Sequence, residues 1–219
     1  MRSKRRPLTY NTLGKVLIEK GDAKGAIESH KRALDIAESL LAEDPTNGEH
    51  KRDAEFALEF LGYAQFEAKD YNSALLNFRK VLSMHGENSS GNKGDSISPV
   101  YAGMAKTLAA KNELKESVEN YYRVIPIAEE SAKQSPMNMR KVSRLAVYYL
   151  EGEKVLAKFA GGLRGEERDK TYRNACEWLQ KSAVIFDEMK RSRKLSRLNE
   201  KYLDEVRNEL SKCQQNLPK

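Results

Sequence analysis

The chain is poor in the residues that carry covalent chemistry. Its 219 residues include only two cysteines, Cys176 and Cys213, with no CxxC between them. A disulfide framework is not expected from so few, and a reducing, cytoplasmic setting is the simpler expectation. Cys176 reads as a small buried side chain and not as a reactive thiol. The three histidines, His30, His50 and His85, lack metal-ligand spacing such as H-x3-H, so no metal site is expected. No nucleophile elbow, phosphate-binding loop or zinc signature is present, and the sequence offers neither a catalytic residue nor a cofactor site. Apolar runs of about 18 residues are missing as well, which excludes a membrane-spanning helix. The opening Met-Arg-Ser-Lys-Arg-Arg is basic but lacks the apolar stretch of a signal peptide.

What the chain does contain is helix-forming and charged. Proline is limited to 6 residues, 32% of residues are charged, and Ala, Leu, Glu and Lys are abundant, as in all-helical proteins. The net charge of +7 is unevenly spread. Arg2, Lys4, Arg5 and Arg6 form one acid-free basic stretch; Lys190, Arg191, Arg193, Lys194 and Arg197 form another. Together they exceed the net charge, so the remaining body is slightly acidic. Clustered cations are a footprint for nucleic acid or an acidic partner, or simply solvated ends. Neither stretch interleaves aromatics for base stacking, which disfavours nucleic acid.

The strongest signal is internal repetition. Tyr10-x2-Leu13-Gly14-x2-Leu17 followed by Ala26-x3-His30-x2-Ala33 returns 48 residues later as Leu58-x2-Leu61-Gly62-x2-Gln65 followed by Ala74-x3-Phe78-x2-Val81. A third copy runs through Tyr101, Met104, Ala105 and Leu108 to Ser117, Tyr121 and Val124. A fourth runs through Tyr149, Gly152, Glu153 and Leu156 to Ala175, Leu179 and Ser182. The crossing position of each first helix then falls at Gly14, Gly62, Ala105 and Glu153, in steps of 48, 43 and 48. The turn markers Pro45-x-Asn47 and Pro136-x-Asn138 keep the same register. Each unit reads as two antiparallel helices with an apolar stripe at i, i+3 and i+7, a small residue where they cross, and a stop-and-cap turn at Gly21-Asp22 or Lys69-Asp70. A single such hairpin cannot cover its own apolar face, so neighbours must stack.

This pattern resembles the tetratricopeptide repeat (TPR), W-x2-L-G-x2-Y…A-x3-F…P, with a period longer than the usual 34 residues. The resemblance covers most of residues 7–217 and implies an all-α fold: an α–α superhelix of about four TPR-like helical hairpins with a C-terminal capping helix. The repeats are expected at 7–47, 48–90, 97–137 and 138–189, after a basic segment at 1–6 and before a basic linker and cap at 190–219. Ala-Leu-Asp-Ile-Ala-Glu (33–38), Glu-Asp-Pro-Thr-Asn (43–47) and Lys-Arg-Asp (51–53) are also similar to the C-terminal TPR arrays of certain bacterial, acidobacterial-type serine/threonine kinases. No kinase motif is present, so a detached regulatory region of a kinase-type signalling protein is the alternative to a free-standing scaffold.

In TPR arrays the first helices line a concave groove that takes a peptide or protein. Carried over by position, the groove residues are Asn11, Lys15 and Ile18, then Glu59, Tyr63 and Phe66, then Ala102, Lys106 and Ala109. Tyr63 and Phe66 share a helix face and offer an apolar anchor, or else pack on a neighbouring helix. Lys15 and Lys106 would meet carboxylates or phosphates. Binding of a chaperone C-terminal tail is disfavoured: the Lys-x3-Asn clamp appears reversed as Asn11-x3-Lys15, and the second clamp asparagine is replaced by Phe60. His30 stands where the family packs an aromatic and reads as a buried, hydrogen-bonded histidine.

Four departures complete the reading. Residues 85–96 read as a mobile loop, with Pro99 starting the next helix. Pro126 should kink its helix. Ala160-Gly161-Gly162-Leu163-Arg164-Gly165 opens an insertion of about ten residues. Leu198, Tyr202, Val206 and Leu210, with Leu203 and Cys213 beside them, form the stripe of a terminal helix that should cover the last hairpin.

Overall fold

The computed structural model describes residues 7–85 and 94–216. The basic segment 1–6, most of the expected 85–96 loop and the side chain of Leu198 lie outside the described residues. The chain divides into two compact units, residues 1–91 and 92–219. In the first, α1 (Pro7–Glu19) pairs with α2 (Ala23–Glu43), and α3 (Gly48–Glu67) with α4 (Tyr71–His85). In the second, α5 (Gly94–Ala110) pairs with α6 (Leu114–Gln134), α7 (Met139–Ala160) with α8 (Gly165–Arg191), and α9 (Arg197–Asn216) follows. The expected all-α array of sequential hairpins with a terminal cap is what the chain forms.

Local chemistry sets the boundaries. Gly21 takes φ 79°, Lys69 φ 62° and Asn112 φ 65°, the left-handed conformation that ends a helix. The next residue starts its successor: the Asp22 carboxylate accepts from the Gly25 N–H at 2.8 Å, and Asp70 accepts from Ser73 at 3.2 Å. Between α2 and α3, the Asn47 side chain accepts from Glu49 at 2.9 Å and His50 at 3.3 Å. Thr46 meanwhile donates to Asp44 at 2.9 Å, and that bond holds the Asp44 carboxyl below its usual range.

Packing within each hairpin rests on a small residue against a large one. A Cβ added to Gly14 would stand 2.4 Å from the His30 ring, and one added to Gly62 would stand 2.7 Å from Phe78. In the third hairpin Ala105 and Tyr121 fill these roles, both buried, and the Ser117 hydroxyl donates to the Ala105 carbonyl at 2.7 Å. These pairs join the late part of one helix to the early part of the next, which makes each hairpin antiparallel. Hairpins then stack: α2 and α1 lie against α3, and α6 and α5 against α7.

The structure corrects several expectations. The fourth crossing is at Gly152, not Glu153: a Cβ there would meet Trp178 at 2.6 Å and Tyr121 at 3.2 Å. Trp178, the ring that meets Gly152, also forms a T-shaped contact with Tyr122 of the preceding hairpin. Helix α5 begins at Gly94, five residues before Pro99, which lies inside the helix. The insertion near residue 160 is not an extended loop, because only residues 161–164 separate α7 from the 27-residue α8. Glu166 and Glu167 in the first turn of α8 favour its N-terminus and extend the helix through the inserted residues. Pro126 lies inside α6, where the repeat register places it.

The last correction is covalent. Cys176 of α8 and Cys213 of α9 are joined by a disulfide, with Cα atoms 5.8 Å apart. Both are buried, and the packing of α9 across α8 brings together residues 37 apart in sequence. Pairing of the two thiols removes the basis for reading a reducing compartment from cysteine usage.

Candidate partner-binding face

In the first unit, α1 and α3 lie side by side as the first helices of their hairpins. Phe56, Phe60, Tyr63 and Phe66 recur at three- and four-residue spacing along α3, a row of rings down one side of the helix. Phe56 stacks on Phe60 with centroids 6.4 Å apart and remains 43% exposed. Phe60 stacks on His30 at 5.6 Å, and Lys15 of α1 places its Nζ 3.9 Å from the Phe60 centroid. Tyr63 meets Phe78 edge-on at 5.2 Å, and Phe66 tilts against Tyr71 at 5.8 Å. Tyr63 and Phe66 are thus half-buried, each with one side packed against a ring of α4.

The other positions fall into distinct environments. Asn11 is buried at 4% exposure, and its Oδ1 accepts from the His30 Nδ1 at 3.0 Å. Its polar end serves the hairpin interior. Burial, assisted by the Lys15 charge, pushes His30 down to about 4, so the ring is neutral at pH 7. Ile18 is half-buried on α1, and Glu59 is buried on α3. Phe56 was absent from the carried-over groove positions, and Phe60 entered only as a replacement for a clamp asparagine. Their signal was the aromatic spacing along α3, which the repeat register alone does not select.

In the second unit, Lys106 of α5 pairs with Glu151 of α7 at 2.9 Å, its Nζ engaged by a carboxylate of the adjacent first helix. Ala102 is buried, and Ala109 is half-buried against the core around Tyr121 and Trp178. Glu153 is buried at 6% exposure, and its Oε2 has no hydrogen-bond partner. Burial first, then the neighbouring charge of Glu209 and Glu205, pushes its carboxyl up to about 7 against the opposing pull of Lys154 and Lys212. Among the described residues, no group of three or more His, Cys, Asp or Glu is arranged to hold a metal ion. No helix among them is long and apolar enough to cross a membrane.

This geometry, repeated small-against-large hairpins with first helices side by side, agrees with the known proteins the chain matches. Residues 8–46 match the tetratricopeptide repeat model. They form a TPR. Nearly identical TPR-like repeats of a kinesin-light-chain-type protein from Podosopora anserina superpose with a TM-score of 0.52 at 15% identity, covering 99% of this chain and 100% of that one. The apo form of RapI superposes at 0.51 with 15% identity, covering 97% of this chain and 86% of its own. No curated protein matches the chain in sequence. At such identities the likeness is one of fold, and the chain has the TPR fold with a sequence-level repeat at its start.

Proposed function

We propose that this chain is a non-enzymatic protein-interaction module that binds a peptide segment along the first-helix face of its first unit. The observation that carries this reading is the row Phe56, Phe60, Tyr63 and Phe66 beside the Lys15 ammonium. Half-exposed rings fixed by packing provide pockets for an apolar side chain at small entropic cost, and a flanking cation selects a carboxylate. The ligand is therefore an acidic segment with a large apolar anchor. Lys106 lies on the corresponding face of the second unit, where Glu151 already holds it, and is assigned a secondary part.

Selection from a random peptide library displayed against the intact chain tests this. Peptides with an aromatic or large aliphatic residue flanked by Asp or Glu are expected to be enriched. The combined Phe56→Ala, Tyr63→Ala and Phe66→Ala chain, shown folded by far-UV circular dichroism, should bind them at least about ten-fold more weakly. Unchanged affinity in the folded variant removes the assignment.

A second reading is favoured by the turn between α8 and α9. Its backbone repeats the other hairpin turns: Arg193 is left-handed at φ 56°, and Lys194 N–H donates to Met189 O at 2.8 Å, as Asp22 N–H does to Leu17 O. The acidic cap that follows the left-handed residue elsewhere is replaced by Lys194. Lys190, Arg191, Arg193, Lys194 and Arg197 are all exposed and form no ion pair with a described residue. Arg197 moreover opens α9, where a cation opposes the helix dipole. An acidic protein surface is the partner this cluster fits. The kinase-type context rests on residues 33–38, 43–47 and 51–53, of which 43–47 are accounted for by the turn and cap joining α2 to α3. A kinase reading frame contiguous with this one is what would support that context.

A further inference from the structure

We propose that α9 is a redox-locked cap: the Cys176–Cys213 disulfide holds it closed over the apolar face of α7 and α8, and reduction by a dithiol releases it. The cap is joined at both ends. The 192–196 turn ties its start to α8, and Cys213, in its last turn, ties its end. Between these points the hold is thin. Among the described side chains of α9, only Leu203, Val206 and Cys213 are buried, whereas α8 buries eight. Tyr202 stacks on Phe186 at 6.3 Å and is itself only half-buried. The pairs Lys154–Glu205 and Arg207–Asp187 are 41–48% exposed, and ion pairs so open to solvent contribute little.

The seat is also imperfect. Glu153, on α7, is buried with one carboxylate oxygen unpartnered, and the acidic groups acting on it, Glu205 and Glu209, belong to α9. A helix docked by the buried Leu203 and Val206 and the half-buried Tyr202 and Leu210 over such a group gains from having its far end held. The disulfide does this by closing a loop across a separation of 37 residues.

Both sulfurs are buried, yet Cys213 lies in a terminal turn, the part of a helix that opens most readily. One thiolate of the dithiol attacks a cystine sulfur, breaking the S–S bond and forming a mixed disulfide. The second thiolate displaces it, closing the reductant into its own disulfide. Cys176 and Cys213 gain two electrons and two protons. Release of α9 bares Leu150, Leu179 and Phe186, which are fully buried while the cap is in place.

The full chain is examined by intact mass after alkylation and by segment-resolved hydrogen exchange, with and without dithiothreitol. The oxidised protein should take up no alkylator and the reduced protein two. Amides of residues 199–212 should exchange at least ten-fold faster after reduction, while those of 145–156 in α7 keep their protection. Cys213→Ser should behave as the reduced chain without reductant. Two free thiols in the air-oxidised protein, or unchanged exchange of α9 once reduction is verified by mass, overturns the proposal. Loss of α7 protection together with α9 also overturns it, because the bond then staples the whole unit and locks no separate cap.

Discussion

In each unit an ionisable side chain, His30 or Glu153, is buried beside a helix crossing, and the two are handled differently. In the first unit His30 fills the aromatic slot against Gly14, and the Asn11 Oδ1 accepts a hydrogen bond from its ring nitrogen. In the second, Glu153 follows the crossing glycine by one residue, and one of its oxygens is left without a donor. The histidine is accommodated as a neutral ring within a completed contact. The carboxyl, pushed up to about 7, is favoured in its protonated form. The hairpin architecture tolerates either residue, because close approach of the helices is secured by Gly14 and Gly152 whatever polar group stands nearby. The consequence is a pH response of opposite sign in the two halves of one chain.

The largest expected effect is that divergence. His30 is lowered from 6.5 to about 4, so its contribution is present above pH 6.5 and lost as pH falls toward 4. Glu153 is raised from 4.5 to about 7, so its contribution is present below pH 4.5 and lost as pH rises through 7. Between pH 7 and pH 5 the first unit should lose about 2 kcal/mol from His30, while the second gains about 2 kcal/mol from Glu153, for a relative change of about 4 kcal/mol. Urea unfolding of the intact chain resolves the two, because the single tryptophan, Trp178, reports only the second unit while circular dichroism reports both. On acidification the tryptophan transition should move to higher urea and the remaining dichroic transition to lower. A common shift of both in one direction would break the comparison.

Glu153→Gln sharpens it. A glutamine keeps the shape and cannot ionise, so the second unit should become more stable at pH 8 by roughly 2 kcal/mol and lose its gain on acidification, with the first unit unchanged. Tryptophan-detected unfolding at pH 5 and pH 8 measures this. A variant that keeps the wild-type pH slope would show that another carboxyl is responsible.

Most of the fold was legible because close helix crossing is enforced by a single small residue, and Gly14, Gly62 and Ala105 report it directly. The fourth crossing was misplaced by one residue because Gly152 and Glu153 are adjacent, and the deciding contact is with Trp178 and Tyr121, on other helices. Asn11 looked like a groove residue by position. Only the His30 nitrogen, 19 residues away, explains why it turns inward. The disulfide was illegible for a related reason: two cysteines in separate helices meet only through the angle at which α9 crosses α8, which no local pattern encodes. The aromatic row of α3 was half legible. Tyr63 and Phe66 stood out by register, whereas Phe56 and Phe60 matter through their stacking with one another and with Lys15.

The smallest effect separates the two causes of the His30 shift. Lys15 lies over the Phe60 ring, which in turn stacks on His30, so its charge stands near the imidazole. Lys15→Met should cost about 0.5–1 kcal/mol through loss of the cation–π contact. The same change removes the positive charge that disfavours the imidazolium, so the His30 titration, followed by its imidazole proton resonances, should move upward from about 4. It should stay below 6.5, because burial is the larger cause and the substitution leaves His30 buried. The first unit would then lose less of its stability on acidification than the wild type, narrowing the divergence from its own side. An unmoved titration would mean that Lys15 acts only on Phe60. A return to 6.5 would mean that charge, and not burial, keeps the ring neutral, and the contrast with Glu153 would then be one of neighbours and not of desolvation.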